Sequence, residues 1–355
     1  MKKSSLSIII PLTLLSTSAF AAEIYRAEDG SVLNSYGRAQ ADFKNAKQKD
    51  ENGEATGERK TNGTYNARLG FNGRQVINDT MAVMGQAQYQ LVPDDKDNVD
   101  WKARYIWAGI DMGEYGRIEA GRVVSGLTMF TNIGDIFSTG GDPVAGFHVG
   151  TVDESAALVF RQNGTFQYRN NIGNLDYSAA YITNSSVDYA YNAAAQYSID
   201  LGKAGTLHPV VMYQKDKAYD KMNDITTYET YGIGTQYFYE DLYLGAAYTE
   251  ENLDLRSSSK DASTIGLDFR AMYTFGDWVA RIGYRYLKFD ETKSTNDVVE
   301  DAIQTELQYR FTPRTSLYLN YTNNRGGKST VSATGVEVSS IEQGDVFTTS
   351  LRFEW

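Results

Sequence analysis

The chain has no cysteine, only five prolines and two histidines in 355 residues. Without thiols there is no disulfide framework and no thiolate metal site. A cysteine-free chain is also compatible with export through an oxidising compartment. The two imidazoles, His148 and His208, leave little for Ser–His chemistry, which needs a histidine beside a nucleophile. Long apolar runs are missing too: no later segment approaches 18 consecutive apolar residues, and the mean hydropathy is −0.44. That excludes a helical membrane protein. It does not exclude a membrane barrel, whose strands turn only alternate residues to lipid. Basic residues are the minority, 34 Lys and Arg against 45 Asp and Glu, for a net charge of −11. No nucleic-acid partner is implied.

The N-terminus is informative. Met1-Lys2-Lys3 is a basic start, Leu6 to Leu15 is a short apolar run, and Ala19-Phe20-Ala21 is a small-x-small cleavage site. The run is about half of the roughly 20 residues that a span needs, so residues 1–21 read as a secretory signal peptide. The mature chain is expected to begin at Ala22, and losing two lysines deepens its net charge from −11 to about −13.

The remainder, residues 22–355, alternates with period two. Tyr65, Ala67, Leu69 and Phe71 alternate with Asn66, Arg68, Gly70 and Asn72. Ile265, Leu267, Phe269, Ala271, Tyr273 and Phe275 alternate with Gly266, Asp268, Arg270 and Thr274, and Ile303, Leu307, Tyr309 and Phe311 with Gln304, Glu306, Gln308 and Arg310. Such runs are strands with one apolar and one polar face. Composition alone, with 26 Tyr and 32 Gly, suits a secreted β-sandwich or propeller equally well. About sixteen segments follow one another, beginning near Ser31, Asn62, Thr80 and Val99, with the sixth near Glu154 and the last near Asp345. Short turns (Gly73 to Asp79, Asp200 to Gly205, Gly276-Asp277) alternate with longer polar loops (Ala46 to Thr61, Glu250 to Asp261, Asn323 to Gly344). Short connections on one rim and long ones on the other fit a barrel inserted from one side. The last strand carries Phe347, Leu351, Phe353 and Trp355 on one face to the final residue, as it must if it pairs with the first strand and leaves no edge. Tyr36, Tyr89, Trp101, Tyr105, Trp107, Tyr239, Trp278 and Tyr318 stand near strand ends and are expected in two interfacial girdles. The fold is expected to be all-β: a 16-stranded antiparallel transmembrane barrel.

One stretch breaks the alternation. Val124 to Asp153 holds six glycines and Pro143 without sustained periodicity, and a long irregular loop in a strand-rich chain is usually functional. It is expected to fold into the lumen and narrow a water-filled pore.

The segments AEIYRAEDGSVLNSYGRAQADF (22–43), YNARLGFNGRQVINDTMAVMGQAQYQ (65–90), WAGIDMGEYGRIEAGR (107–122) and FQYRNN (166–171) resemble the general diffusion porins of the Gram-negative outer membrane. The resemblance is dense to about Tyr181 and continues as pattern to the C-terminus. It implies a homotrimer set in outer-membrane lipid and lipopolysaccharide that passes small hydrophilic solutes and ions passively, without a cofactor. It also implies a transverse field between basic residues on the wall and carboxylates on the inward third loop. By motif, the wall positions fall on Arg38 in SYGRA, Arg68 in NARLGF, Arg104 in KARYIWAG, and Arg161, and the loop carboxylates on Asp135 and Asp142. Alternation independently turns Arg68 and Arg161 to the polar face. Two departures stand out: Ser138 occupies the place of the family's loop Glu, and the second outer loop, Val92 to Asp100, is short where the family reaches a neighbouring subunit.

The acid excess favours mild cation preference through acidic vestibules, whereas four arginines against two aspartates favour anions at the narrowest point. A substrate-specific channel with aromatic residues along the lumen is the runner-up function. A non-conducting barrel serving adhesion or phage attachment comes third. Gly232-Ile233-Gly234 lies inside strand alternation with no helix after it, so it is no nucleotide fingerprint.

Overall fold

A computed structural model describes residues 22–49, 55–93, 99–139, 161–219, 223–258 and 261–355. Sixteen strands form the wall. They are β1 Val32–Lys49, β2 Ala55–Asn78, β3 Met81–Pro93, β4 Val99–Asp111, β5 Arg117–Val124, β6 Arg161–Ile172, β7 Leu175–Ile182 and β8 Val187–Tyr197. The second half comprises β9 Thr206–Ala218, β10 Ile225–Tyr239, β11 Leu242–Leu255, β12 Ala262–Phe275, β13 Trp278–Phe289, β14 Val298–Thr312, β15 Thr315–Asn324 and β16 Gly344–Glu354. Each pairs antiparallel with its neighbours in sequence, and β1 pairs with β16, so the sheet closes.

Closure uses both ends of the described chain. Residues Arg38 to Ala46 of β1 face Val346 to Glu354 of β16, and below them a stub, Ala22–Arg26, takes over the same edge opposite Val32 to Ser35. At the junction Gly37 and Trp355 exchange two backbone hydrogen bonds of 3.1 Å. Any Cβ at Gly37 would run into the Trp355 ring. The two ends together cover an edge that would otherwise offer free N–H and C=O groups to lipid.

Alternation sets the two faces. On β12, Phe269, Tyr273 and Phe275 are exposed outside, while Asp268 and Arg270 are buried inside. On β16, Phe347, Leu351 and Phe353 are outside and Ser350 and Arg352 inside. Among the described residues no helix is long and apolar enough to cross a membrane. Apolar side chains facing lipid and polar ones facing a shared interior suit a barrel whose lumen is wet.

The structure corrects the sequence reading in three places. The outer loop expected at Ala46 to Thr61 is largely strand: β1 runs to Lys49, β2 is described from Ala55, and Lys47 pairs with Arg59. The ladder continues there into water, where neither face is apolar and alternation carries no signal. The turn expected at Gly73 to Asp79 shrinks to two residues after Asn78, whose Oδ1 accepts the amides of Thr80 and Met81 at 3.0 Å. Four of the expected girdle residues face inward instead. Tyr36 lies flat across Gly70, where any Cβ would strike its ring, and its hydroxyl accepts from Gln86. Trp107 donates to Gln86 Oε1 at 2.9 Å, Tyr105 stacks under Arg104, and Tyr318 lies 5.0 Å from the Arg352 guanidinium. Trp101, Tyr239 and Trp278 are exposed on the outer face.

Candidate constriction of the lumen

At the end of β5 the chain turns inward. Gln167 of β6 holds the turn: its Oε1 accepts from Gly126 N (2.7 Å), and its Nε2 donates to Val124 O (3.0 Å) and Glu119 Oε2 (2.8 Å). A single helical turn, α1 Thr128–Thr131, follows. Leu127, Phe130 and Ile133 are fully buried and pack on Ala194, Val210, Met212 and Ala247, all on the inner face of β8, β9 and β11. The wall leaves room for them by omitting side chains. A Cβ at Gly232 would lie 2.6 Å from Phe130 Cζ, and one at Gly234 2.5 Å from Ile133 Cδ1. Gly232-Ile233-Gly234 is therefore the seat of this loop. Tyr243 adds a hydrogen bond from its hydroxyl to Ile133 O at 2.8 Å.

Further on, the loop is fastened to the wall. Arg270 donates to Gly134 O (3.3 Å) and lies over the Phe137 ring (5.4 Å). The amides of Ser138 and Thr139 donate to the Glu306 carboxylate of β14 at 3.0–3.2 Å, as does the Thr139 hydroxyl at 3.0 Å. Arg281 completes that site with an ion pair to Glu306 at 2.9 Å. Arg352 of β16 donates to Ser138 O (2.7 Å) and Gln40 Oε1 (2.9 Å). The loop thus hugs the wall from β8 round to β16. Asp142 and His148 lie outside the described residues.

The opposite arc of wall carries the expected arginines. Arg38 and Arg68 are register partners on β1 and β2. Arg104 sits in a bulge of β4, where the register passes from Tyr105 opposite Gln88 to Ala103 opposite Tyr89. The bulge lets Arg104 reach the inner face and donate to Gln88 Oε1 (2.7 Å) and Gln90 Oε1 (3.0 Å). Arg161 opens β6 opposite Val124, and nearby Arg122 donates to Asn163 Oδ1 (2.5 Å) and Arg104 O (3.1 Å).

Charge pairing separates the two arcs. Inside β12–β14, Arg270 pairs with Asp268 (2.7 Å) and Arg285 with Asp268 and Glu300 (3.4 Å each). Arg117 pairs with Glu119 at 2.8 Å, so that carboxylate does not neutralise the other arc. Asp176 accepts from Asn171 at 2.7 Å. Among the described residues Arg38, Arg68, Arg104 and Arg161 have no carboxylate within 4.0 Å.

Asp135 belongs to the loop, its amide donating to Thr131 O at 3.0 Å just past the helical turn. Its side chain is exposed to the lumen although protein surrounds it. This enclosure raises its carboxyl above the ordinary aspartate value, while Arg68, Arg352, Arg104 and Arg161 pull it down. Three of the four expected arginines are therefore in electrostatic reach of Asp135, and Arg38 joins them through Arg68. Sequence reasoning missed Glu306 and Arg352. Alternation placed both on the polar face, but nothing local showed that they meet the loop.

His208 has a packing role: its ring nitrogens meet Ser198 Oγ (3.0 Å) and Thr206 Oγ1 (3.3 Å), edge-on to Phe238. No cluster of metal-ligating side chains occurs among the described residues.

Comparison with known proteins agrees with this architecture. The family model described as Gram-negative porin matches residues 8–329. Porin-like protein L of Photobacterium profundum is 26% identical over 332 residues, covering 91% of this chain and 93% of its own. Outer membrane porin F of Escherichia coli K12 is 26% identical over 356 residues, covering 92% and 93%. Among solved structures, OmpF of Salmonella typhi in complex with daunomycin superposes with a TM-score of 0.73 at 19% identity, over 94% of this chain and all of the other. OmpT of Vibrio cholerae in its trimer form gives 0.67 at 17%, over 92% and 99%. With an inward loop lodged in a closed barrel of sixteen strands and a family match over most of its length, the chain belongs to the Gram-negative porins, channel proteins of the outer membrane.

Proposed function

We propose that the chain is a general diffusion channel, and that solutes pass its narrowest section between the arc of Arg38, Arg68, Arg104 and Arg161 and the loop bearing Asp135 and Asp142. The observation that carries this reading is the pairing contrast: lumen arginines on β12–β14 have carboxylate partners, whereas this arc has none among the described residues. Guanidinium stays ionised at ordinary pH, so the arc keeps its charge in a wet lumen. Opposed charges orient water across the path. An apolar solute must displace that water without replacing its hydrogen bonds, and polar solutes are favoured. Charges farther apart than roughly 8 Å are screened at physiological salt, so ion selectivity is weak and salt-dependent. The acidic balance of the chain sets a mild cation preference at the vestibules, against which the arginine arc works locally.

The assembly read here is a homotrimer in outer-membrane lipid and lipopolysaccharide, supported by the trimer form of the Vibrio cholerae neighbour. Residues 1–21 serve as the export signal, so the mature protein should have the mass of a chain beginning at Ala22. A second reading has one observation in its favour: Tyr105 and Trp107 stand half-buried on the inner face beside the arginines, as an oligosaccharide-specific channel would use aromatic rings. Liposome swelling with neutral sugars of rising size separates the two. Rates that fall smoothly with size and never saturate support general diffusion. Saturable current block by one sugar class transfers the assignment to the specific channel.

A further inference from the structure

The chain between β15 and β16 forms a small hairpin of its own, Ser329–Ser332 paired with Gly335–Val338, outside the barrel ladder. Its Val336 and Val338 are buried against Tyr228, Leu253, Leu287 and Phe289. Those four side chains belong to the inner face. Leu287 and Phe289 continue the phase of Arg281 and Arg285, Leu253 that of Glu251, and Tyr228 that of Thr230 and Gly232. All four stand at the outer ends of their strands. The barrel therefore carries an apolar patch on a face that otherwise meets water, and such a patch is stable when something covers it.

The hairpin is also fixed by hydrogen bonds at its edges. Lys293 N donates to Val336 O and Ser257 N to Ala333 O, both at 2.8 Å. Val338 N donates to Ser294 Oγ at 2.9 Å, and Asn296 Nδ2 to Ser339 O at 2.7 Å. Gly335 suits this seat because its backbone has φ +148°, a conformation that L side chains rarely adopt. Deeper in the lumen, the inward third loop packs on β8, β9 and β11. The two coverings occupy the same side of the barrel, and the arginine arc lies on the other.

We propose that the hairpin Ser329–Val338 is a second, outer narrowing of the channel, folded into the mouth over β10–β14, and that it steers entering solutes to the side of β1–β6. Conductance and size limit are then set by two elements in series, the hairpin first and the third loop after it. This inference rests on the reading of the chain as an open diffusion channel.

The test uses the purified full chain in planar bilayers, beside a variant in which residues 329–338 are replaced by two glycines. A two-stranded ribbon is about 10 Å across, so its removal is expected to raise single-channel conductance by about 1.5-fold or more and to speed swelling by larger sugars. A conducting protein whose conductance is indifferent to the deletion overturns the hairpin proposal and leaves the diffusion reading standing. A wild-type chain that conducts nothing overturns both. Placement is read independently, since the native chain has no cysteine. Val336 is buried and Glu337 exposed, so a membrane-impermeant maleimide should label Val336→Cys at least tenfold more slowly than Glu337→Cys. Equal rates would mean that the hairpin stands off the wall.

Discussion

Replacing Arg68 and Arg104 by glutamine tests the field in the lumen directly. Neither arginine has a carboxylate within 4.0 Å among the described residues, so each removal subtracts a positive charge without orphaning an acid. A permeating ion in a narrow section passes within about 6 Å of the wall; at the dielectric constant of water one charge there is worth about 0.7 kcal/mol unscreened. Screening over a Debye length of about 8 Å at physiological salt halves this, so two charges amount to about 0.7 kcal/mol. That is about threefold in local concentration, upward for cations and downward for anions, hence about tenfold in the cation-to-anion permeability ratio. At about 0.01 M salt, where the Debye length is about 30 Å, the same removal is worth about 1.1 kcal/mol and the ratio moves by several tens of fold. The assay is the reversal potential across a salt gradient, read for wild type and double variant at both ionic strengths. An unchanged ratio, or a shift that does not grow as salt is diluted, would mean that these side chains are not beside the ion path.

Three further outcomes follow from the same geometry. Asp135→Asn should shift preference towards anions. The wild type should drift the same way on acidification, beginning above the pH at which an ordinary aspartate titrates, because enclosure raises this carboxyl and it is neutral below its titration point; a reversal potential with no such drift contradicts the placement. Gly232→Val puts a side chain where Phe130 rests, at an overpacking cost of about 1–3 kcal/mol, and should press the loop towards the arginines and lower conductance. Unaltered conductance would show that the loop does not dock there. Glu306→Ala leaves Arg281 and the amides of Ser138 and Thr139 without their acceptor, a loss of about 3–5 kcal/mol. A lower melting temperature in detergent and a noisier open channel are expected, and a quiet channel with wild-type melting counts against the anchor.

Much of the barrel was legible because its determinants are local. The strand starts at Val99, Thr206 and Ala262 fall where turn residues give way to alternation, and the C-terminal run Phe347, Leu351, Phe353 does close on β1. What escaped the sequence is non-local or two-sided. Lys47 and Arg59 pair in water on both faces, so nothing marks them as strand. Tyr36 and Trp107 turn inward because Gly70 clears a space and Gln86 offers a partner, neither visible from aromatic content. Alternation names the face of a residue but not its height: Glu306 meets Ser138 across 168 positions, and Arg352 meets it across 214. Leu287 and Phe289 did leave a mark, as apolar residues in the polar phase of β13, and the hairpin explains them.

A cysteine-free chain permits a clean decision on whether the arginine arc borders the conducting path. Cysteine is placed at Arg68, on the inner face of β2, or at Phe71, which is exposed on the outer face of the same strand, and a bulky water-soluble thiol reagent is added during single-channel recording. Stepwise loss of current for Arg68→Cys and none for Phe71→Cys is the expected result. Equal loss at both positions, or loss at Phe71→Cys alone, would contradict it.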